Sequence, residues 1–312
     1  MKKYNIIFMG TPEFSVPSLL KLSKLHNIKA VFTKKPKKSG RGMKLKNSPV
    51  DIIAKKIGIK CFYPDTLCDN RIFETINLLN CHIIVVVAYG LKLPQSILKK
   101  PKFGCINAHA SLLPKWRGAA PIHRAIEAGD KKTGVSSMLM TEKMDSGPVF
   151  NQIKMNILPS MNFIDVYEKL SFIASDVLVK TINNIENSKP IKQDINSISY
   201  AKKITKSDAE LNLNMNANYL VRKIRAFCSF PGCFIQLKNN RLKVLSATAE
   251  NINRSEFPPG YFLGKNRKNK VILSCGENTN LILDKVQPEN KKIMLSHDFL
   301  NGSNWVVGKK II

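Results

Sequence analysis

The run His82-Ile83-Ile84-Val85-Val86-Val87-Ala88 constrains the fold more than any other stretch of the 312 residues. Five consecutive positions are apolar and β-branched with no polar alternation, so the strand they form must be covered on both faces. Such strands belong to parallel-rich sheets with helices on either side. Residues 4–9, 28–33 and 104–109 read as further strands, and residues 14–25, 50–57, 71–79 and 121–128 as the intervening helices, the last with Pro121 in its first turn. The fold class expected is α/β, a Rossmann-like domain.

Residues 133–141 and 149–157 read as two more strands, joined by the turn Met144-Asp145-Ser146-Gly147-Pro148, and residues 163–185 as a long helix. Residues 187–207 are polar, contain Pro190 and have weak periodicity, as a linker would. Beyond them, short strand candidates at 234–237, 242–248, 260–263, 271–274 and 281–286 sit between Pro, Gly and Asn clusters. That pattern suggests a small OB-like β-barrel. The expected organisation is a domain over 1–189, a linker over 190–207 and a barrel domain over 208–312.

One stretch breaks the α/β rhythm. Between the strand ending at Thr33 and the helix beginning near Val50 lies Lys34-Lys35-Pro36-Lys37-Lys38-Ser39-Gly40-Arg41-Gly42-Met43-Lys44-Leu45-Lys46-Asn47. A βα connection usually takes about two to six residues, so this insertion at 34–47 is either a solvated, partly disordered excursion or an arm that touches phosphates. The chain carries 50 Lys+Arg against 22 Asp+Glu, a formal charge of +28, which favours a polyanionic partner. Its richness in Lys, Asn and Ile, the residues of AT-rich codons, is the alternative source of that excess.

The seven cysteines, from Cys61 to Cys275, are scattered and include no Cys-x-x-Cys pair, as expected of reduced thiols in a cytoplasmic protein. The five histidines group neither with each other nor with cysteines, so no metal is expected. No apolar stretch is long enough to span a bilayer, the N-terminal apolar run is too short for a signal segment, and no membrane partner is expected. Gly10-Thr11-Pro12 follows the first strand, where a dinucleotide-binding domain carries Gly-x-Gly-x-x-Gly. Pro12 removes a backbone donor and Glu13 adds negative charge there, which argues against a pyrophosphate and a nicotinamide enzyme.

More informative is Gly104-Cys105-Ile106-Asn107-Ala108-His109-Ala110-Ser111-Leu112-Leu113-Pro114-Lys115-Trp116-Arg117-Gly118. On an extended 104–109, Asn107 and His109 project from one face, roughly 6.5 Å apart along the strand. They lie at the carboxyl end of a parallel strand, where open α/β sheets place their ligands. Singly, a strand histidine is usually a packed core residue, and Asp-Ser-Gly-Pro an ordinary turn. What overturns those readings is the ordered set Asn107, His109 and Asp145 with Ser-Leu-Leu-Pro between.

That run resembles the signature of the folate-dependent formyltransferases, and the likeness to their methionyl-tRNA branch extends nearly end to end. Gly10-Thr-Pro-Glu-Phe, Gly40-Arg-Gly, Val87-Ala-Tyr-Gly, Arg117-Gly-Ala-Ala-Pro-Ile, Thr133-Gly-Val and Arg225-Ala-Phe also match its pattern. The resemblance implies 10-formyltetrahydrofolate as formyl donor, a folate site that includes Ser111, Leu112, Leu113 and Pro114, and a catalytic trio of Asn107, His109 and Asp145. Three positions depart: Ala110 where the family usually has Gly, Met144 where it has Leu, and Phe230 where it commonly has Trp. None removes an ionisable group. A methyl at Ala110 is expected to tighten the turn, since Gly allows backbone angles that Ala resists.

The residue types suit the reaction on their own terms. Formyl transfer to an amine passes through a tetrahedral carbon bearing an oxyanion and a cationic nitrogen. Asn107 can donate to that oxygen, and His109 or Asp145 can relay the amine proton. A carboxylate beside the imidazole would raise its pKa and orient it, the role expected first of Asp145. An acceptor α-amine, with an ordinary pKa near 8, needs no covalent enzyme intermediate. Three functions are compatible with the sequence: formylation of initiator methionyl-tRNA, formylation of a small amine such as an amino-sugar nucleotide, and non-enzymatic RNA binding. The basic insertion and the β-rich C-terminal half favour the first, in a monomer. Lys35, Lys37, Lys38 and Lys44 are then expected to neutralise tRNA phosphates, and Arg41, between two glycines, to make a directed contact.

Overall fold

The computed structural model describes residues 2–39, 44–238 and 240–311. The chain divides into two units, one comprising the residues up to Pro121, Lys132–Asn156 and Tyr167–Ala201, the other Ile122–Lys131, Ile157–Val166 and the residues from Lys202 on.

In chain order the strands of the first unit are β1 (Asn5–Gly10), β2 (Asn27–Phe32), β3 (Lys37–Ser39), β4 (Lys44–Lys46), β5 (Cys61–Phe62), β6 (Ile83–Val87), β7 (Cys105–His109), β8 (Arg117–Gly118), β9 (Lys132–Leu139), β10 (Val149–Asn156) and β11 (Tyr200–Ala201). Seven form one sheet in the order β10-β9-β7-β6-β1-β2-β5. Pairing is parallel from β7 to β5 and antiparallel where β9 joins β7 and β10 joins β9. The β-branched strand β6 is buried at every residue, as its composition requires. The chain leaves β1 towards one edge and returns through β6 towards the other, so the β1/β6 pair is the switch point, where a crevice opens beyond the strand ends. Two hydroxyls tie that end together: Ser15 Oγ donates to Val87 O at 2.6 Å and Thr11 Oγ1 to Tyr89 O at 3.1 Å.

The helices in this stretch of chain are α1 (Val16–Leu25), α2 (Pro49–Lys56), α3 (Asn70–Leu78), α4 (Gln95–Leu98), α5 (Pro121–Ala128) and α6 (Phe163–Asn183); α5 falls in the second unit and α6 begins in it. α2 starts where Ser48 Oγ accepts from Asp51 N at 3.0 Å with Pro49 in the first turn, and α3 where the Asp69 side chain accepts from Arg71 N. α6 buries Leu170, Ala174, Val177 and Leu178 at helical spacing, and each large apolar side chain so enclosed contributes about 1.5–3 kcal/mol.

The expected strands and long helices are present within a few residues of their predicted bounds. Two segments differ from expectation in kind. The insertion at 34–47 carries a short antiparallel ribbon, with Lys37 opposite Lys46 and Ser39 opposite Lys44. Its base is closed by Thr33 Oγ1 and Ser48 Oγ, 2.7 Å apart. The polar stretch at 190–207 contains β11, which pairs in parallel with β8 through Tyr200 and Arg117. Its strand is only two residues long, too short for any periodicity to show.

The second unit contains α7 (Ala217–Ala226), β12 (Phe234–Gln236), β13 (Arg241–Asn251), β14 (Phe262–Lys265), β15 (Val271–Cys275), β16 (Thr279–Pro288), β17 (Met294–Leu295) and α8 (Ser296–Leu300). Its sheet runs β12-β13-β16-β15-β14, with β17 on β16, and every pairing is antiparallel. This is the β-rich domain expected of the C-terminal half. Register shifts within β13 bend the longest strand, as bulges do in small barrels. α7, which the sequence reading did not anticipate, lies across β13 and β16, burying Leu220 and Ile224.

Candidate active site

β7 delivers Asn107 and His109 to its carboxyl end on a continuous register, Asn107 opposite Met138 and His109 opposite Ser136 of β9. With no bulge between them the two side chains share a face. His109 is 7% exposed and Asn107 half-buried. The turn after β9 brings Asp145 to the same place: its Oδ2 lies 3.7 Å from His109 Nδ1. The other ring nitrogen, Nε2, is 2.9 Å from the carbonyl of Trp116. A carbonyl only accepts, so Nε2 carries a proton and Nδ1 is the position that gains or loses one.

Asp145 is a constrained residue. Its φ of 50° lies in the left-handed region, and its Oδ2 accepts the Gly118 N–H at 2.8 Å. Gly147, two residues on, is required by space: a Cβ there would sit 1.7 Å from Leu139 O. Trp116 is also left-handed, at φ 61°, which turns its carbonyl towards His109.

The loop Ser111, Leu112, Leu113 and Pro114 is shaped by two side chains from the sheet. Ser136 Oγ donates to Ser111 O at 2.6 Å and accepts from Leu113 N at 3.0 Å. Gln152 Nε2 reaches Leu113 O at 2.7 Å and Ser136 Oγ at 2.9 Å. Ser111 Oγ donates to Lys115 O at 2.6 Å, so this hydroxyl serves the loop's own conformation. Leu113 is buried, while Leu112 and Pro114 keep part of their surface open. Ala110 is absent from the residues with positive φ, so its backbone angles do not call for glycine.

At the switch point, Ala88 (φ 46°) and Gly90 (φ 81°) form an exposed turn around buried Tyr89. Burial pushes the Tyr89 phenol up, and its hydroxyl has no hydrogen-bond partner among the described residues. Lys34 Nζ would lie 2.8 Å from a Cβ built on Gly90, which puts an ammonium beside this turn that the sequence reading passed over.

Of the basic residues singled out in the insertion, Lys35 pairs with Asp65 and Lys37 is exposed at the start of the ribbon. Lys38 and Lys44 lie in its two strands. Arg41 lies outside the described residues. Among the described residues no three His, Cys, Asp or Glu side chains come together as metal donors, and no helix is long and apolar enough to cross a membrane.

Sequence reasoning missed the groups that hold the site in shape: Ser136, Gln152, buried Arg117 and its partner Gln193. A signal existed for one of them. Ser136 and Ser137 fall between Val135 and Met138-Leu139 in a strand of the central sheet, and buried hydroxyls there had to find partners.

Comparison with known proteins shows the family. Residues 2–182 match the formyl transferase family and residues 203–304 its C-terminal domain. The methionyl-tRNA formyltransferase of Pelagibacter ubique is 40% identical over 310 residues, covering 98% of each chain. That of Rickettsia prowazekii is 38% identical over 299 residues, covering 96% of this chain and 97% of its own. Among solved structures, HypX from Aquifex aeolicus in complex with tetrahydrofolic acid shares the fold with a TM-score of 0.63 at 16% identity, over 96% of this chain; the chain spans about half of HypX, 47% of its length. The chain belongs to the formyl transferase family, among the methionyl-tRNA formyltransferases.

Proposed function

We propose that this protein transfers the formyl group of 10-formyltetrahydrofolate to the α-amino group of methionine on initiator methionyl-tRNA, with Asn107, His109 and Asp145 as its catalytic residues. The observation that carries the reading is the imidazole whose Nε2 is engaged by Trp116 O while its Nδ1 faces Asp145. The full-length similarity to methionyl-tRNA formyltransferases supports the acceptor, and the fold shared with a tetrahydrofolic acid-binding protein supports the donor.

The folate supplies an activated formyl carbon. As the amine adds to it, negative charge grows on the formyl oxygen, and the amine nitrogen becomes acidic. Asn107, half-buried at the strand end, donates its amide N–H to that oxygen, which is worth most where water is excluded. His109 takes the amine proton at Nδ1 and returns it to the departing folate nitrogen, so the proton count closes with no group left altered. The Asp145 carboxylate faces the imidazolium that forms. Leu112 and Pro114 offer apolar edges suited to a flat ring, and the rigid 111–114 loop fixes where that ring can lie. The basic insertion, through Lys35, Lys37, Lys38, Arg41 and Lys44, is assigned to the tRNA acceptor end, and the β-rich domain over 208–312 to further backbone contacts.

Incubating the purified chain with labelled 10-formyltetrahydrofolate and either charged initiator methionyl-tRNA or a panel of amino-sugar nucleotides tests the assignment. Label passing into methionyl-tRNA alone is expected; label passing faster into an amino sugar overturns it.

A further inference from the structure

Asp145 is held by a residue 48 positions downstream. The buried guanidinium of Arg117 donates through Nε and Nη2 to Gln193 Oε1, at 3.0 and 2.8 Å. Arginine can only donate, so the Gln193 oxygen must face it and the amide nitrogen must face away. That nitrogen donates to two carbonyls of the turn, Asp145 O at 2.9 Å and Gly147 O at 2.7 Å. Carbonyls can only accept, so both sides impose the same orientation. The neighbouring residue closes the loop: Gly118 N grips the Asp145 carboxylate, and Gly118 is itself paired with Ala201. Asp145 is thus tied at its carbonyl through Gln193 to Arg117 and at its carboxylate to Gly118.

We propose that Gln193 is a positioning residue for formyl transfer. By joining Arg117 to the backbone of the Asp145 turn, it holds the Asp145 carboxylate at its place opposite His109 Nδ1. A left-handed aspartate is a conformation that needs such support. The proposal rests on the reading of His109 and Asp145 as catalytic. Gln193 acts through Asp145.

Glutamate separates the two halves of the clasp. Gln193→Glu keeps an oxygen for Arg117 and adds charge to that bond, but its other oxygen meets two carbonyl oxygens and cannot donate to either. The Arg117 side stays closed while the turn is released; Gln193→Ala opens both. The test compares kcat, KM for folate and for methionyl-tRNA, and Tm in the full chain carrying Gln193→Glu, Gln193→Ala, Asp145→Asn, and Asp145→Asn with Gln193→Glu.

Gln193→Glu is expected to lower kcat about tenfold or more, with both KM values within about twofold and Tm nearly unchanged, because the loss is one of geometry. In the Asp145→Asn background the same change should cost less than about twofold, since no carboxylate remains to be misplaced. Near-normal kcat in Gln193→Glu overturns the proposal, as does a loss of equal size in both backgrounds. A fall in Tm with kcat and KM worsening together marks a merely structural residue and overturns it too. Asp145→Asn with full turnover removes the catalytic reading itself, and this proposal with it, and is recognised from that variant alone.

Discussion

His109 Nδ1 and Asp145 Oδ2 stand 3.7 Å apart, too far for a hydrogen bond and close enough for an ion pair once Nδ1 is protonated. A carboxylate at that position does little for the neutral ring and much for the imidazolium. Asp145→Asn keeps an oxygen for the Gly118 N–H and removes the charge. It should lower kcat about 10²-fold or more with the folate KM little changed, measured by steady-state formyl transfer. Turnover within a few-fold of the unaltered protein excludes the charge as a catalytic element.

The 111–114 loop, proposed to hold the folate, depends on one hydroxyl. Ser136 Oγ serves Ser111 O, Leu113 N and Gln152 Nε2 at once. Ser136→Ala leaves those buried groups partly unsatisfied and should cost about 1–3 kcal/mol in urea unfolding. Because the loop and not the catalytic trio is disturbed, the folate KM should rise more than kcat falls. The opposite split places Ser136 in the chemistry.

How much of this was legible in the sequence depended on the kind of signal. The β6 strand and the Asn107–His109 spacing follow from periodicity, a property of neighbouring residues, and both appear where expected. Asp145 entered through the ordered motif, though nothing local distinguishes its turn from any other. Gln193 was out of reach: its partners Arg117, Asp145 and Gly147 are far away in the chain, and a polar stretch with Pro190 reads as a linker until those partners are in place. α7 was missed because its polar residues outweigh a narrow apolar face of Leu220 and Ile224. The ribbon at 37–46 was hidden because its strands are three residues each and mostly lysine, which gives no apolar alternation.

A histidine away from the site should mark the acid stability of the second unit. His123 stacks on Phe163 with ring centroids 4.0 Å apart. Burial holds its pKa down to about 4, with Arg124 lowering it further and Glu127 opposing. The unfolded chain takes up this proton near 6.5, before the folded one does. The unfolded state therefore binds more protons below 6.5, and stability present above that pH is lost as pH falls towards 4. His123→Phe keeps a stacking ring and removes the proton. Its Tm should decline less steeply than that of the unaltered protein between about pH 6.5 and about pH 4.5. Parallel curves contradict the assignment.

The ribbon lysines should not be equivalent. Both are exposed, but Lys35 already pairs with Asp65. Lys37→Ala should weaken tRNA binding and flatten the slope of log K against log salt by about one unit or less, and Lys35→Ala should do less of both. Titrations at several salt concentrations decide this. Equal effects of the two replacements mean that Asp65 is displaced on binding.

Single-turnover transfer with His109→Ala reaches the central claim most directly, because it separates the chemical step from binding and product release. With enzyme in excess over charged initiator tRNA and saturating 10-formyltetrahydrofolate, a variant with native circular dichroism should transfer the formyl group about 10²-fold or more slowly than the unaltered protein. Transfer at a comparable rate would contradict the assignment of His109 as the group that moves the proton, and with it the reading of this strand end as the active site.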